Sequence, residues 1–136
     1  MMTTIPETHL DLLTGEVVLA TAGPDGFPQL TAIVVRPDRD GVLETALNTT
    51  RQKYRNIARH PQVTLFRSDP VVPTRTIEVR AHVELIDDPG KVWSRAFAAE
   101  LGFDLDAIDQ PGEERVHVRF HPEKVNVLDP TAFAVS

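Results

Sequence analysis

Residues 16–37, with the sequence EVVLATAGPDGFPQLTAIVVRP, decide the fold because they predict two β-strands joined by a tight turn. Both halves contain valine and threonine, which favour strands. The first half, residues 16–22, is almost continuously apolar and predicts a strand that is buried on both faces. Between the halves, Pro24 fixes its φ angle and Gly26 accepts a positive φ, so GPDG predicts a turn. The stretch therefore predicts a β-hairpin.

The rest of the chain adds strands, with single helices between them. Residues 76–86 alternate strictly between apolar and polar side chains, which is typical of a strand with one buried face. The other predicted strands are residues 42–48, 62–68, 115–122 and 124–130. Helices are predicted at residues 6–13, 51–60 and 89–101. Strands joined by tight turns with few helices between them predict a mainly β fold, an antiparallel β-barrel with short helices at its ends.

Length, charge and composition limit the class of protein. The 136 residues contain no cysteine and predict a single domain, residues 1–136, without disulfides. The formal net charge of −6 argues against a nucleic-acid partner, because binding to a phosphate backbone needs a basic surface. No secretory signal is evident, and no apolar run approaches the ~20 residues that cross a bilayer. We therefore expect a cytoplasmic protein with no membrane partner.

Residues 48–61, NTTRQKYRNIARHP, concentrate four cations in this acidic chain: Arg51, Lys53, Arg55 and Arg59. Thr49 and Thr50 are candidates to cap the predicted helix. Cations in the first turns oppose the helix dipole and cost about 0.3–1 kcal/mol each. Two interpretations remain open, a solvated basic helix or an anion site. We favour the anion site, because a phosphate would use the free amides, the hydroxyl groups and the cations together.

Other candidate sites are weaker. His117 and His121 lie on one face of a predicted strand, but four residues of strand separate them by about 13 Å. We therefore expect no metal site and interpret these histidines as solvated. The acidic connector at residues 104–114 is expected to be solvated as well. No catalytic motif for nucleophilic, zinc or nucleotide chemistry occurs, so no catalytic residue is predicted.

Two motifs resemble those of the pyridoxamine 5′-phosphate oxidase-like flavin and deazaflavin proteins, which are split β-barrels. The first is T-x-x-K-x-R-N-I-x-R-x-P, present at residues 50–61. The second is L-A-T-x-x-x-D-G-x-P, present at residues 19–28. The similarity extends over nearly the whole chain. However, the carboxy-terminal residues lack the arginine-rich signature of true pyridoxamine phosphate oxidases, and the chain looks most like the branch that uses the deazaflavin coenzyme F420.

The resemblance implies a homodimer with cofactor clefts between the subunits. It implies that Arg51 and Lys53 grip the cofactor phosphate, with Thr49 and Thr50 nearby. It places the ring of the cofactor along the second strand, at Thr31, Ala32, Ile33 and Val34. The end of the third strand, Leu47 and Asn48, would line the same cleft.

The function that follows from this resemblance is that of an F420-dependent reductase. The reduced cofactor would transfer a hydride to a small electron-poor acceptor such as an enone, an unsaturated lactone or a quinone, and the protein would supply binding and orientation. Two alternatives stay open. One is an FMN-dependent oxidoreductase of the same family, and the other is a carrier that binds a flavin or deazaflavin without turnover.

Overall fold

The computed structural model describes residues 3–130, which contain six β-strands and three α-helices. The strands are β1 (Gly15–Ala22), β2 (Pro28–Pro37), β3 (Leu43–Asn48), β4 (Gln62–Ser68), β5 (Thr76–Asp87) and β6 (Arg115–Leu128). The α-helices are α1 (Gln52–Arg59), α2 (Val92–Glu100) and α3 (Leu105–Ile108). Two 3-10 helices cover Glu7–Leu13 and Pro89–Lys91. No helix within residues 3–130 is long and apolar enough to span a membrane.

The six strands form one closed antiparallel barrel in the order β1-β2-β3-β6-β5-β4, with β4 pairing back to β1. The hairpin of β1 and β2 is confirmed, with Ala22 opposite Pro28 and Gly26 at φ 85° in the turn. The predicted fold class, a mainly β antiparallel barrel with a few short helices, is confirmed as well.

The barrel is split between β2 and β3. These strands share only two register pairs, Arg36 with Glu44 and Pro37 with Leu43. Beyond them β2 pairs with β1 alone, while β3 pairs with β6 along its whole length. The Thr45 hydroxyl donates to the Val34 carbonyl over 2.7 Å and ties the two strands together where they begin to diverge. Within residues 3–130, the split therefore leaves part of one edge of each of these two strands without a strand partner, and a cleft opens there.

The hydrophobic core fills the barrel, and each strand contributes to it the side chains of its inward-facing side. In β1, Val17, Leu19 and Thr21 point inward and are buried, whereas Val18 is 38% exposed. The prediction that this strand is buried on both faces is wrong for the single chain. The physical reason is that closure gives every strand one inner face and one outer face.

The structure differs from the prediction in two other elements. The final two short strands are one continuous strand, β6, which runs through Pro122. Its register against β5 shifts between Arg80 and Ala81, and a proline is tolerated beside such an irregularity because fewer ladder hydrogen bonds are required there. The helix α3 was not predicted, because its four residues are too few to show a helical period.

Candidate functional site

A cleft of about 350 Å³ lies at the split of the barrel. One wall is formed by the diverging strands β2 and β3. The opposite wall comes from α2, α3 and the segment between them. The side chains of this second wall are mainly apolar: Phe97, Ala98, Leu101, Phe103, Leu105 and Ile108. Charged groups lie at the start of α1 and on β6, so the cleft combines an apolar slot with a cationic end.

Seven of the ten residues predicted to bind the cofactor line this cleft: Ala32, Ile33, Val34, Leu47, Asn48, Arg51 and Lys53. The side chains of Ile33 and Leu47 belong to the core. Three residues do not line the cleft. Thr31 has a buried hydroxyl without a hydrogen-bond partner among the described residues. The Thr49 hydroxyl donates to the Glu114 carbonyl at 3.3 Å, and the Thr50 hydroxyl contacts the side chains of Asn48 and Glu113.

Helix α1 begins one residue later than predicted, and its N-cap is Arg51. Neither Thr49 nor Thr50 caps it, so that prediction is wrong. The Thr50 hydroxyl instead lies 2.7 Å from both Asn48 Oδ1 and Glu113 Oε2. No side chain caps the helix, and its first turn contains no acidic residue, so its first amide groups are left without a side-chain acceptor among the described residues.

Arg51 and Lys53 carry positive charge that the protein does not neutralise directly. No carboxylate within residues 3–130 lies within 4.0 Å of either side chain. Partial burial, followed by the charges of Arg51 and Arg115, lowers the pKa of Lys53. Cations that face each other in a cleft, with free helix amides beside them, favour a bound anion.

Arg115 also lines the cleft, but a buried carboxylate compensates its charge. Asp109, whose side chain is 1% exposed, accepts from Arg115 Nε at 2.8 Å and from Arg115 Nη2 at 2.7 Å. It also pairs with Lys91 Nζ at 3.3 Å. Hydrogen bonding from Arg115 is the main cause that lowers the pKa of Asp109 to about 2. This cluster was missed, and the prediction of a solvated acidic connector is wrong at Asp109.

Asn48 holds the connector to the start of α1. Its Nδ2 donates to Asp109 and to Glu113 at 3.2 Å each, and its Oδ1 accepts from the Thr50 amide at 2.9 Å. The carboxamide of Asn48 is therefore occupied by protein groups, although the residue lines the cleft. Its role in the structure is to fix the loop that precedes Arg51.

The apolar wall depends on the placement of α2. The carboxylate of Asp88 accepts from the amides of Trp93 and Ser94 at 3.0 and 2.8 Å, which satisfies the start of the helix. The Trp93 ring stacks on the His117 ring, with centroids 3.5 Å apart, and on the Phe97 ring at 5.0 Å. Sequence patterns did not indicate that this helix would face the split.

His117 and His121 are each hydrogen-bonded to a glutamate. His117 Nε2 lies 2.9 Å from Glu44 Oε1, and His121 Nε2 lies 2.8 Å from Glu84 Oε1. His117 is covered by Trp93, so its assignment as a solvated residue is wrong. In the described part of the chain, no three His, Cys, Asp or Glu side chains form a group that could hold a metal ion.

The cleft is thus suited to bind a molecule with an anionic group and an apolar, flat portion. Among the described residues that line it, Glu16 is the one carboxylate, and none is a serine or a histidine. Such a site can hold and orient a ligand, but it does not contain a nucleophile paired with a base.

Comparison with known proteins gives a family match and several similar structures. The model of the pyridoxamine 5′-phosphate oxidase family matches residues 7–129. A solved structure titled F420 reductase is 33% identical, with a TM-score of 0.75, and the match covers 90% of this chain and 98% of that one. The comparison with curated proteins gives no match.

Two further structures share the fold at lower identity. A conserved hypothetical protein from Mycobacterium tuberculosis is 23% identical, with a TM-score of 0.73, over 99% of this chain and 91% of that one. The heme storage protein HutZ from Vibrio cholerae is 16% identical, with a TM-score of 0.67, over 89% of this chain and 91% of that one. At these identities the likeness concerns the barrel alone.

Proposed function

Because this chain belongs to the pyridoxamine 5′-phosphate oxidase family, we propose that it is an oxidoreductase that binds a phosphorylated deazaflavin, coenzyme F420, in the cleft at the split of its barrel. This family binds flavin or deazaflavin cofactors. The observation that carries the proposal is the pair Arg51 and Lys53, which line the cleft at the start of α1 and have no ion-pair partner within residues 3–130.

The charged end of the cleft fits a phosphate group. Arg51 and Lys53 offer charge-assisted hydrogen bonds, and the uncapped start of α1 adds backbone amides. Arg115 contributes less, because Asp109 already accepts two hydrogen bonds from one edge of its guanidinium. A phosphate would also relieve the repulsion among the three cations, which a neutral ligand would not do.

The apolar part of the cleft fits a flat ring system. Ala32 and Val34 present aliphatic side chains on β2, while Phe97 on α2 and Leu101 directly after it line the other side. The diverging edges of β2 and β3 also leave peptide groups available to polar atoms on the rim of a ring. These residues would hold the ring in one plane and exclude water from it.

A deazaflavin bound there supplies hydride chemistry, which the side chains of the cleft do not supply themselves. The residues of this chain bind the phosphate, orient the ring and leave its exposed face to a second molecule. The acceptors we propose are small and electron-poor: enones, unsaturated lactones or quinones. No residue is assigned as a proton donor.

F420 is favoured over FMN because the F420 reductase structure is 33% identical over almost all of both chains. FMN remains the second candidate, since Arg51 and Lys53 would recognise the phosphate of either cofactor. A carrier without turnover is the third, because the cleft holds no catalytic pair.

The test is a titration of the purified protein with F420 and, separately, with FMN, followed by fluorescence. We expect micromolar or tighter binding of F420 and weaker binding of FMN. The reduced complex is then mixed with enones and quinones, and oxidation of the cofactor is followed by absorbance. Failure to bind either cofactor contradicts the proposal, and binding without oxidation by any acceptor favours the carrier.

We also propose that the protein is a homodimer in which a second copy covers the outer face of β2, β1 and β4. Leu30, Val18 and Phe66 are neighbours on this face and are 65%, 38% and 41% exposed. Residues 16–22 are apolar on both faces, yet the single chain buries only one of them. Ala32 belongs both to this face and to the cleft, so a partner seated here would also close the cleft.

Leu30→Glu should convert the dimer to monomer, because a carboxylate would have to be buried against an apolar surface. We expect the dissociation constant of the dimer to rise by at least about tenfold. Sedimentation velocity over a range of concentrations measures the change. The matched control is Val127→Glu, on β6 at the other side of the barrel and 43% exposed, which should leave the dimer intact. A wild-type monomer, or equal effects of both variants, would contradict this interface.

A further inference from the structure

A polar network centred on a buried asparagine connects α1 to the barrel. Its centre is Asn56, whose side chain is 0% exposed. Asn56 Nδ2 donates to Thr21 Oγ1 on β1 at 3.0 Å and to Gln29 Oε1 on β2 at 3.1 Å. Asn56 Oδ1 accepts from Gln52 Nε2, one helical turn earlier, at 2.8 Å. The carboxamide therefore contacts two strands and the first residue of the helix at once.

The network continues from Gln52 to the loop that precedes α1. Gln52 Oε1 accepts from Arg55 Nη2 at 2.8 Å and from Arg55 Nε at 3.3 Å. Arg55 Nη1 in turn donates to the Thr50 carbonyl at 2.8 Å. Arg55 is thus committed to holding the start of its own helix. Hydrogen bonds run without a gap from the barrel interior to the residue just before Arg51.

An amide is the group that this position requires. Asparagine in the middle of a helix is unfavourable by propensity, so its presence needs a tertiary reason. An apolar residue of similar size would leave the Thr21, Gln29 and Gln52 side chains without their partner, and an ionised aspartate would offer no donor to Gln29 Oε1. The pattern of two donated bonds and one accepted bond matches a carboxamide alone.

Lys53 and Arg51 depend on this arrangement for the placement of their helix, whereas the Asn48 contacts fix the loop before Arg51. Lys53 lies three residues before Asn56, and residues three apart share one face of a helix. Neither cation has an ion pair within residues 3–130 that would hold its side chain in place. Their positions in the cleft are therefore set by the rotation and depth of α1.

We propose that Asn56 is a positioning residue, which locks α1 onto β1 and β2 and thereby aims Arg51 and Lys53 at the phosphate of a bound cofactor. This inference rests on the proposed function, because it assumes that the start of α1 binds a phosphate. It predicts that Asn56 affects the binding of the phosphate group and not the binding of the ring. That difference separates positioning from a general contribution to stability.

The test compares a phosphorylated ligand with the same chromophore without its phosphate. The pairs are F420 with the phosphate-free deazariboflavin, and FMN with riboflavin, and the pair that the wild-type protein binds is used. The measured quantity is the ratio of the two affinities, which reports the contribution of the phosphate for FMN and that of the phosphate with its attached acidic tail for F420. The variants are Asn56→Leu and the milder Gln29→Met, which removes one acceptor of Asn56 and keeps the length of the side chain. Asn126→Leu, at an exposed asparagine on β6, is the matched control.

We expect Asn56→Leu to lower the affinity ratio by about tenfold and Gln29→Met by a smaller factor, with the control unchanged. If Asn56→Leu does not fold, the affinity ratio of Gln29→Met alone tests the inference. An equal loss of affinity for both forms of the chromophore, or an unchanged ratio in Gln29→Met and Asn56→Leu, would overturn the inference.

The variant Lys53→Ala distinguishes failure of the positioning role from failure of the phosphate site. If it lowers the ratio while the Asn56 and Gln29 variants do not, only the positioning role fails; if the wild type shows no preference for the phosphorylated form, the proposed phosphate site fails with it.

Discussion

Replacing Lys53 with alanine should weaken binding of the phosphorylated cofactor by about 1.5–3 kcal/mol, the scale of one lost hydrogen bond to a charged group. The ammonium group has no carboxylate partner within residues 3–130, and partial burial, followed by the charges of Arg51 and Arg115, lowers its pKa. In the proposed site, a bound phosphate would compensate this charge. Because alanine favours helices and the substitution removes repulsion between cations, the variant should keep the stability of the wild type.

The measurements are an equilibrium titration with the cofactor and thermal unfolding of the free protein. Arg59→Ala is the matched control, since it removes the same charge from the exposed end of the same helix. We expect the control to change affinity by less than about 0.5 kcal/mol, because screening by salt weakens distant surface charges. Equal losses in the two variants would mean that net charge, not a contact, determines affinity. An unchanged affinity in Lys53→Ala would contradict the phosphate site.

The strands of this fold follow from local patterns, whereas the closure of the barrel does not. Alternation around Ile77 and Val79 predicts β5, and the GPDG turn predicts the hairpin of β1 and β2. The patterns indicate which side chains are apolar, but they do not indicate whether the second apolar face of β1 meets the core or another subunit. Likewise, Pro122 suggested a break between two strands, because the compensating irregularity is visible only in the pairing with β5. Arg80 lies opposite Lys124 and Ala81 opposite Pro122, so one residue of β6 is left over in the register.

The sequence points to the cationic end of the cleft because residues there contradict their local environment. Cations at the start of a helix oppose the dipole, and that conflict drew attention to Arg51, Lys53 and Arg55, whereas the family resemblance assigned the phosphate to Arg51 and Lys53. The second wall of the cleft gave no such signal, because Phe97 and Phe103 look like ordinary packing residues until the tertiary fold brings them to the split. Asp109 was misassigned for the same reason. Its partner Asn48 lies 61 positions earlier in the chain, and nothing local indicates the contact.

Asp109→Asn should destabilise the protein by about 3–5 kcal/mol, the cost of leaving buried charges without their partner. The substitution keeps the shape of the side chain but removes the charge that Arg115 and Lys91 share. Both of these cations are 13% exposed, so water compensates them poorly. Chemical unfolding with a denaturant measures the loss. Asp106→Asn is the matched control, because the Asp106 ion pair with Arg95 is exposed and worth at most about 1 kcal/mol.

The pKa of the Asp109 carboxyl also predicts how the difference in unfolding free energy between wild type and Asp109→Asn depends on pH. The folded state lowers the pKa of Asp109 from 3.8 to about 2, mainly through the hydrogen bond from Arg115. A lowered pKa means that the folded protein holds the ionised form more strongly than the unfolded chain does. The stabilisation is therefore complete above about pH 4 and is lost as the pH falls toward 2.

A shift of this size corresponds to about 2 kcal/mol. The gap in unfolding free energy between wild type and Asp109→Asn should therefore be constant from pH 5 to 7, within about 0.5 kcal/mol, and should narrow below pH 4 by about 2 kcal/mol. Other carboxylates titrate in the same range, but they are common to both proteins and cancel in the difference. A gap that stays constant down to pH 2, or an equal effect of Asp106→Asn, would contradict the assignment of Asp109 as the buried charge that holds β6 to the connector.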